Sequence, residues 1–299
     1  LLILATNPNK LTAKTTLKMK YLGFIFMFLL AVVLGSCSDK DVTYPMTPVD
    51  ENAKAYVQIN YVVPLSNVVA NRIYKIDLNH QEYVNNSSAL MSPYGQYPGG
   101  SVFFTVDAGN VEVKLYRNDS TVVYDQLVSL EGGKHYNVFV YDLNKAPAII
   151  DRGEIPTFPV TDSTCTLSNV KLYNFLFEAD GTPSTDKVQL VLRGVKSGQY
   201  DEPMGEKVGF GEATTFMQPY IVLSGNVDEG YSTRYFEFVV FDGQTGEEKG
   251  VLQYQKNAST MTDFTAYSTL YAGRSVKWVL RGIRTSSKLP VSVSSFALQ

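Results

Sequence analysis

The stretch VEVKLYRNDSTVVYDQLVSLEGGKHYNVFVY, residues 111–141, is where the fold class can be read. Val111, Val113 and Leu115 alternate with Glu112, Lys114 and Tyr116, the period of two expected of a strand with one buried face. A second apolar run spans Val122 to Leu130. The turn Glu131-Gly132-Gly133-Lys134 follows, and Tyr136 to Tyr141 makes a third run. Three short strands joined by tight turns are the grammar of antiparallel sheet.

The pattern has a partner further along the chain. Upstream, Val102 to Val106 leads into Asp107-Ala108-Gly109, much as Tyr220 to Leu223 leads into Ser224-Gly225-Asn226. Tyr235 to Phe241 (YFEFVVF) alternates and ends at Asp242-Gly243. Thr269 to Arg274 then takes the place of the Gly-Gly-Lys turn, and Val276 to Leu280 closes the copy. Tyr56 to Asn60 resembles Lys171 to Phe175 as the opening strand of each. Copies roughly 100 residues apart, each built from short strands, predict an all-β chain of two tandem β-sandwich domains. The expected bounds are residues 54–152 and 167–299. A linker spans 153–166, and Pro147, Pro156 and Pro159 cluster around it. Twenty Tyr and 16 Phe against two His suit such sheets, and no long helical periodicity appears after Cys37.

On these residues the first copy resembles an immunoglobulin-like β-sandwich repeat of unknown function that recurs in bacterial lipoproteins and cell-surface proteins. Tyr56 to Pro64 (YVQINYVVP) is similar to its opening "YVRVVNASP" strand. Tyr94-Gly95-Gln96-Tyr97 and Ala108-Gly109 through Tyr116 match the segment before and within its "AGxxxVxVY" hairpin. Leu130, Gly133, Lys134, Tyr136, Val138, Val140 and Tyr141 match its closing "LxxGKxYxVxVY". The second copy departs from the pattern, with insertions near Tyr200 to Gly211 and Asn257 to Ala266 and Ser224-Gly225 in place of Ala-Gly. The resemblance implies a fold and a surface location, and transfers no catalytic residue.

Residues 1–36 read as targeting sequence. Lys18 and Lys20 flank the apolar run Tyr21 to Gly35, which ends in Leu34-Gly35-Ser36-Cys37. This LGSC is similar to the lipobox of bacterial lipoproteins, where small residues give a peptidase access to the backbone and the cysteine thiol is diacylated. The run is shorter than the ~20 residues of a membrane span. Residues 1–18 have no matching role, and a start at Met19 is expected. Residues 37–53 read as a polar tether. Ser38-Asp39-Lys40-Asp41 resembles the surface-export signal of Bacteroides-type lipoproteins, so outward display from the outer membrane is expected ahead of a periplasm-facing anchor.

Without residues 1–36 the chain keeps 22 basic against 29 acidic residues, a net charge of −7. That disfavours nucleic acid and anionic head groups as partners, so the membrane link expected is the lipid on Cys37. The only other cysteine, Cys165, then has no partner and reads as a small buried or linker residue.

Little in the chain suggests chemistry. His80 and His135 lack a second ligand at metal spacing and read as solvated. No serine stands in a G-x-S-x-G turn. Asp201-Glu202 and Glu247-Glu248 read as solvated loop charges. Gly209-Phe210-Gly211 lacks the context of a dinucleotide loop, and Asn226 to Gly230 lacks EF-hand spacing. The expectation is a protein that is not an enzyme, with no cofactor and no metal. Trp278 aligns with Val138 between Val276 and Leu280, a core pattern. Tyr94, Tyr97, Tyr200 and Tyr231 sit among Pro, Gly and Asp, where a ring can meet a ligand. A ring that pins its own loop is the equal alternative for each. The function expected is a lipid-anchored binder of a polysaccharide or surface protein. A fimbrillin-like structural or adhesive subunit is the alternative, and an extracytoplasmic enzyme a distant third. For the fimbrillin reading, residues Leu289 to Leu298 either form a free strand or finish the second sandwich.

Overall fold

The alternating apolar residues of 111–141 become three consecutive strands because their inward members all reach one core. The computed structural model describes residues 50–85, 87–158, 167–193, 202–219, 231–257 and 259–298, with the side chains of 231–234 outside that description. The first half runs β1 (Lys54–Tyr61), β2 (Lys75–Leu78), β3 (Gln81–Val84), β4 (Gly95–Tyr97), β5 (Phe104–Asp107), β6 (Gly109–Tyr116), β7 (Val122–Leu130), β8 (His135–Val140) and β9 (Ala148–Asp151). The second half runs β10 (Asn169–Phe177), β11 (Lys187–Leu192), β12 (Glu202–Val208), β13 (Tyr231–Phe241), β14 (Glu248–Val251) and β15 (Gln253–Asn257). It ends with β16 (Thr260–Asp263), β17 (Thr265–Tyr271), β18 (Ser275–Ile283) and β19 (Ser292–Ala297). The fold is all-β: no α-helix occurs among the described residues, and the sheets form no barrel.

In the first half, the sheet β4-β1-β8-β9, extended by β5 beside β1, faces the sheet β3-β2-β6-β7. Val57, Ile59 and Val138 from one meet Ile76, Val113 and Leu115 from the other, each fully buried. In the second half, β10-β18-β19 faces β12-β11-β13-β14, with β17 beside β13. Leu172, Trp278 and Leu280 pack there against Leu190, Phe236 and Phe238. The Trp278 ring stacks on Phe236 at 4.6 Å, so the core role expected of it holds. At about 1.5–3 kcal/mol per buried large apolar side chain, such layers are the main stabilising term.

The internal repeat has a physical counterpart. In each half the first strand pairs in parallel with a late one, β1 with β8 and β10 with β18. Tyr56 lies opposite His135, and Asn169 lies opposite Ser275. With Gly273 level with Gly133, Asn169 is therefore the counterpart of Tyr56, two residues before the Lys171 that sequence similarity selects. A slip of two keeps every side chain on its face, which is why the similarity survives it.

Those four strands are buried on both faces. Their outward residues, Phe139 with Tyr173, Phe175 and Val279, form a third core between the halves. Phe139 stacks on Phe175 at 4.3 Å. Four sheets thus lie in succession, with an apolar layer in each of the three gaps. The middle gap also holds polar groups, and they are paired. The Lys277 ammonium donates to Asn60 Oδ1 (2.7 Å), Gln58 Oε1 (2.8 Å) and Asn137 Oδ1 (2.9 Å). Asn137 Nδ2 donates to the Tyr173 hydroxyl at 3.2 Å. Gln58 Nε2 donates to the carbonyls of Pro98, Gly100 and Val102. Lys171 Nζ, on β10, reaches the backbone carbonyls of Asp151 and Arg152 at the end of β9.

At the carboxy-terminal end, β19 pairs with β18 from Val276↔Ala297 to Arg281↔Ser292. The segment finishes the second sandwich and is not a free strand.

Candidate functional site

Cys37, Cys165 and Tyr200 lie outside the described residues, as does the apolar run Tyr21 to Gly35. Among the described residues no helix is long and apolar enough to cross a membrane, and no group of three His, Cys, Asp or Glu side chains is placed to hold a metal.

The remaining loop tyrosines are not one cluster. Tyr231 is not in a loop: it is the first residue of β13, opposite Tyr271, because the ladder with β17 runs on to that point. Tyr97 also belongs to a strand. It closes β4 opposite Ile59, with its ring 5.6 Å from Phe104 against the first core. Tyr94 does lie in a loop. Its φ of 65° is unusual for a residue with a Cβ, and its N–H is held by the Tyr61 carbonyl at 2.6 Å. That geometry carries its ring out to the second half, where the Arg281 guanidinium sits 4.2 Å from the ring centroid.

His80 is exposed, as expected, in the turn between β2 and β3. His135 departs from expectation. Its ring stacks on Tyr56 at 4.5 Å and meets the edge of Phe103, and this burial holds its pKa below the usual value. Phe210, in the Gly-Phe-Gly segment, packs against Tyr141, Phe175 and Phe177 at the margin of the third core.

The surface feature that stands out lies on β13 and β17. Phe236, Phe238 and Leu270 point inward, so their neighbours Tyr235, Tyr267 and Tyr271 point out. Tyr267 is 70% exposed, Tyr235 44% and Tyr271 42%. Tyr235 lies directly opposite Tyr267 across the strands, with ring centroids 6.1 Å apart. Tyr271 lies four residues along β17 from Tyr267, roughly 13 Å in an extended strand. Polar groups border the strip. Glu237, next outward on β13, accepts from Arg193 and from Thr265 Oγ1. The Arg274 guanidinium lies 4.7 Å from the Tyr271 ring centroid. Exposed rings beside fixed hydrogen-bonding groups can stack on the apolar face of a sugar while the polar neighbours meet its hydroxyls. The signal was present in the sequence: Glu237 marks the outer face of β13, and Tyr235 shares its parity.

No family model matches this chain, and no curated protein matches it. Among solved structures, a crystal structure from Bacteroides uniformis ATCC 8492, described as a "putative cell adhesion protein", aligns at 11% identity. The alignment covers 83% of this chain and 100% of that one, with a TM-score of 0.20. A likeness at that score carries no weight for this chain's role.

Proposed function

We propose that this chain is a non-catalytic, lipid-anchored protein of the outer membrane that binds a glycan at the cell surface. The tyrosine strip on β13 and β17 supports the binding reading most directly. Three rings held outward by a rigid sheet lose little conformational freedom on meeting a ligand, which favours stacking. The LGSC-type motif ending at Cys37 supports the anchor. A fimbrillin-like subunit that polymerises by strand exchange would need a free strand, and β19 is hydrogen-bonded along its length to β18.

Affinity electrophoresis of the purified protein in gels cast with a panel of polysaccharides tests the binding. Retardation in at least one gel, lost when Tyr235 and Tyr267 are replaced by Ala, is the expected result. No retardation in any gel counts against a glycan, and capture of a surface protein by the same strip would move the reading to a protein ligand. Mass spectrometry of the mature amino terminus tests the anchor: a diacylated Cys37 is expected, and an unmodified one removes the lipid.

A further inference from the structure

A second feature lies at the junction of the halves. Tyr94, Ser66 and Asn67 from the first half and Arg281, Lys288 and Ser292 from the second line a cleft of about 330 Å³. A cavity of that size is at the lower end of those that hold small molecules. Two of these six residues are cationic, and no carboxylate lines the cleft. Arg281 is held at two points: Nε donates to Ser294 Oγ at 2.6 Å, and the guanidinium carbon lies over the Tyr94 ring, 4.2 Å from its centroid. Contact with an aromatic face and the bond to Ser294 restrain the guanidinium, whose fork of N–H donors suits a planar anion.

The geometry points to an anion site: the junction cleft receives an oxyanion, a carboxylate or sulfate group, carried on a small polar ligand such as an acidic sugar. Arg281 supplies the oriented donors, and Lys288 supplies a second positive charge at the exposed rim. Tyr94 is no substitute counter-ion for Arg281, because burial pushes its pKa up to about 12 and keeps it neutral. The positive φ at Tyr94 is a second mark, since strained backbone persists where the surroundings hold a side chain in a required place. The site needs both halves, and so depends on their fixed packing. None of the three strip tyrosines lines it.

Calorimetric titration of the full chain with glucuronate, glucose, acetate and inorganic sulfate tests the proposal. Glucuronate is expected to bind at least tenfold more tightly than glucose. Glucuronate binding tighter than acetate assigns the anion to a sugar, and equal binding assigns it to a free small acid. Arg281→Gln is expected to abolish binding. Lys288→Glu, at an exposed position that leaves the fold alone, is expected to weaken it about tenfold. Tyr267→Ala should leave it unchanged, which separates this site from the strip. Glucose and glucuronate binding alike, no binding by any of the anions, or undiminished binding in Lys288→Glu would overturn the proposal.

Discussion

Lys277 of β18 places its ammonium 2.7 Å from the carboxamide oxygen of Asn60 on β1, joining residues 217 positions apart in the chain. Lys277 is fully buried, and its three acceptors are neutral amides, with no carboxylate among them. Burial drives its pKa well below the ordinary 10.5, while the three oxygens favour the charged form that donates to them. The arrangement fixes one relative placement of the halves, because without Lys277 the oxygens of Gln58 and Asn60 would be buried, unsatisfied acceptors and Asn137 Oδ1 would keep only the 3.5 Å bond from Asn60 Nδ2.

Lys277→Met keeps the length of the side chain and removes the donor. It is expected to lower stability by about 2–4 kcal/mol, since two buried acceptors lose their partner and a third is left with one long bond, while the burden of a buried charge is relieved. Equilibrium unfolding in denaturant, followed by Trp278 fluorescence, measures this directly. An unchanged midpoint would mean that the cage holds nothing in place.

The same lysine makes stability depend on pH in a defined sense. Because the folded value is depressed, the unfolded chain binds more protons between that value and 10.5. Stability therefore rises with pH across that window, and the penalty of the buried charge is fully felt below it. A denaturation series across the window should show this slope in the native chain and lose it in Lys277→Met.

How much of this was legible in the sequence depended on how many faces of a strand are buried. β6, with Val111, Val113 and Leu115 inward and Glu112 and Lys114 outward, announces itself by alternation. β10 is buried at every position and β18 at six of nine, with no position exposed, so polar residues such as Lys277 and Asn174 read as solvent-facing when they are not. Period two reports a single core and is silent about a sheet packed between two. Tyr94 was visible as a ring among Pro and Gly. Its partner Arg281 was not, since nothing local links a loop to a strand of the other half. The tyrosine strip was hidden for the opposite reason: aromatic residues within a strand suggest a core, and only the parity set by Glu237 separates Tyr235 from Phe236.

Tyr267→Ala is expected to change stability by no more than about 0.5 kcal/mol, as its ring is mostly exposed. Glycan affinity should fall about tenfold or more, as for a central contact residue. Thermal denaturation and affinity gels run on the same preparation distinguish the two effects.

Gly282→Ala probes the wall of the junction cleft. Gly282 has φ +108°, and a Cβ there would lie 2.3 Å from the Pro290 carbonyl oxygen. The substitution should destabilise the chain by more than about 1 kcal/mol and push the segment through Pro290 away from β18. A lowered thermal midpoint together with weaker glucuronate binding is the expected pair of results.

Under the anchor proposed at Cys37, the parallel pairing of β1 with β8 has a mechanical meaning. β1 is gripped by β8 on one side and by β4 and β5 on the other. Tension entering at Lys54 runs along the strand axis, so the rungs on both sides are loaded in shear and must rupture together instead of peeling one by one.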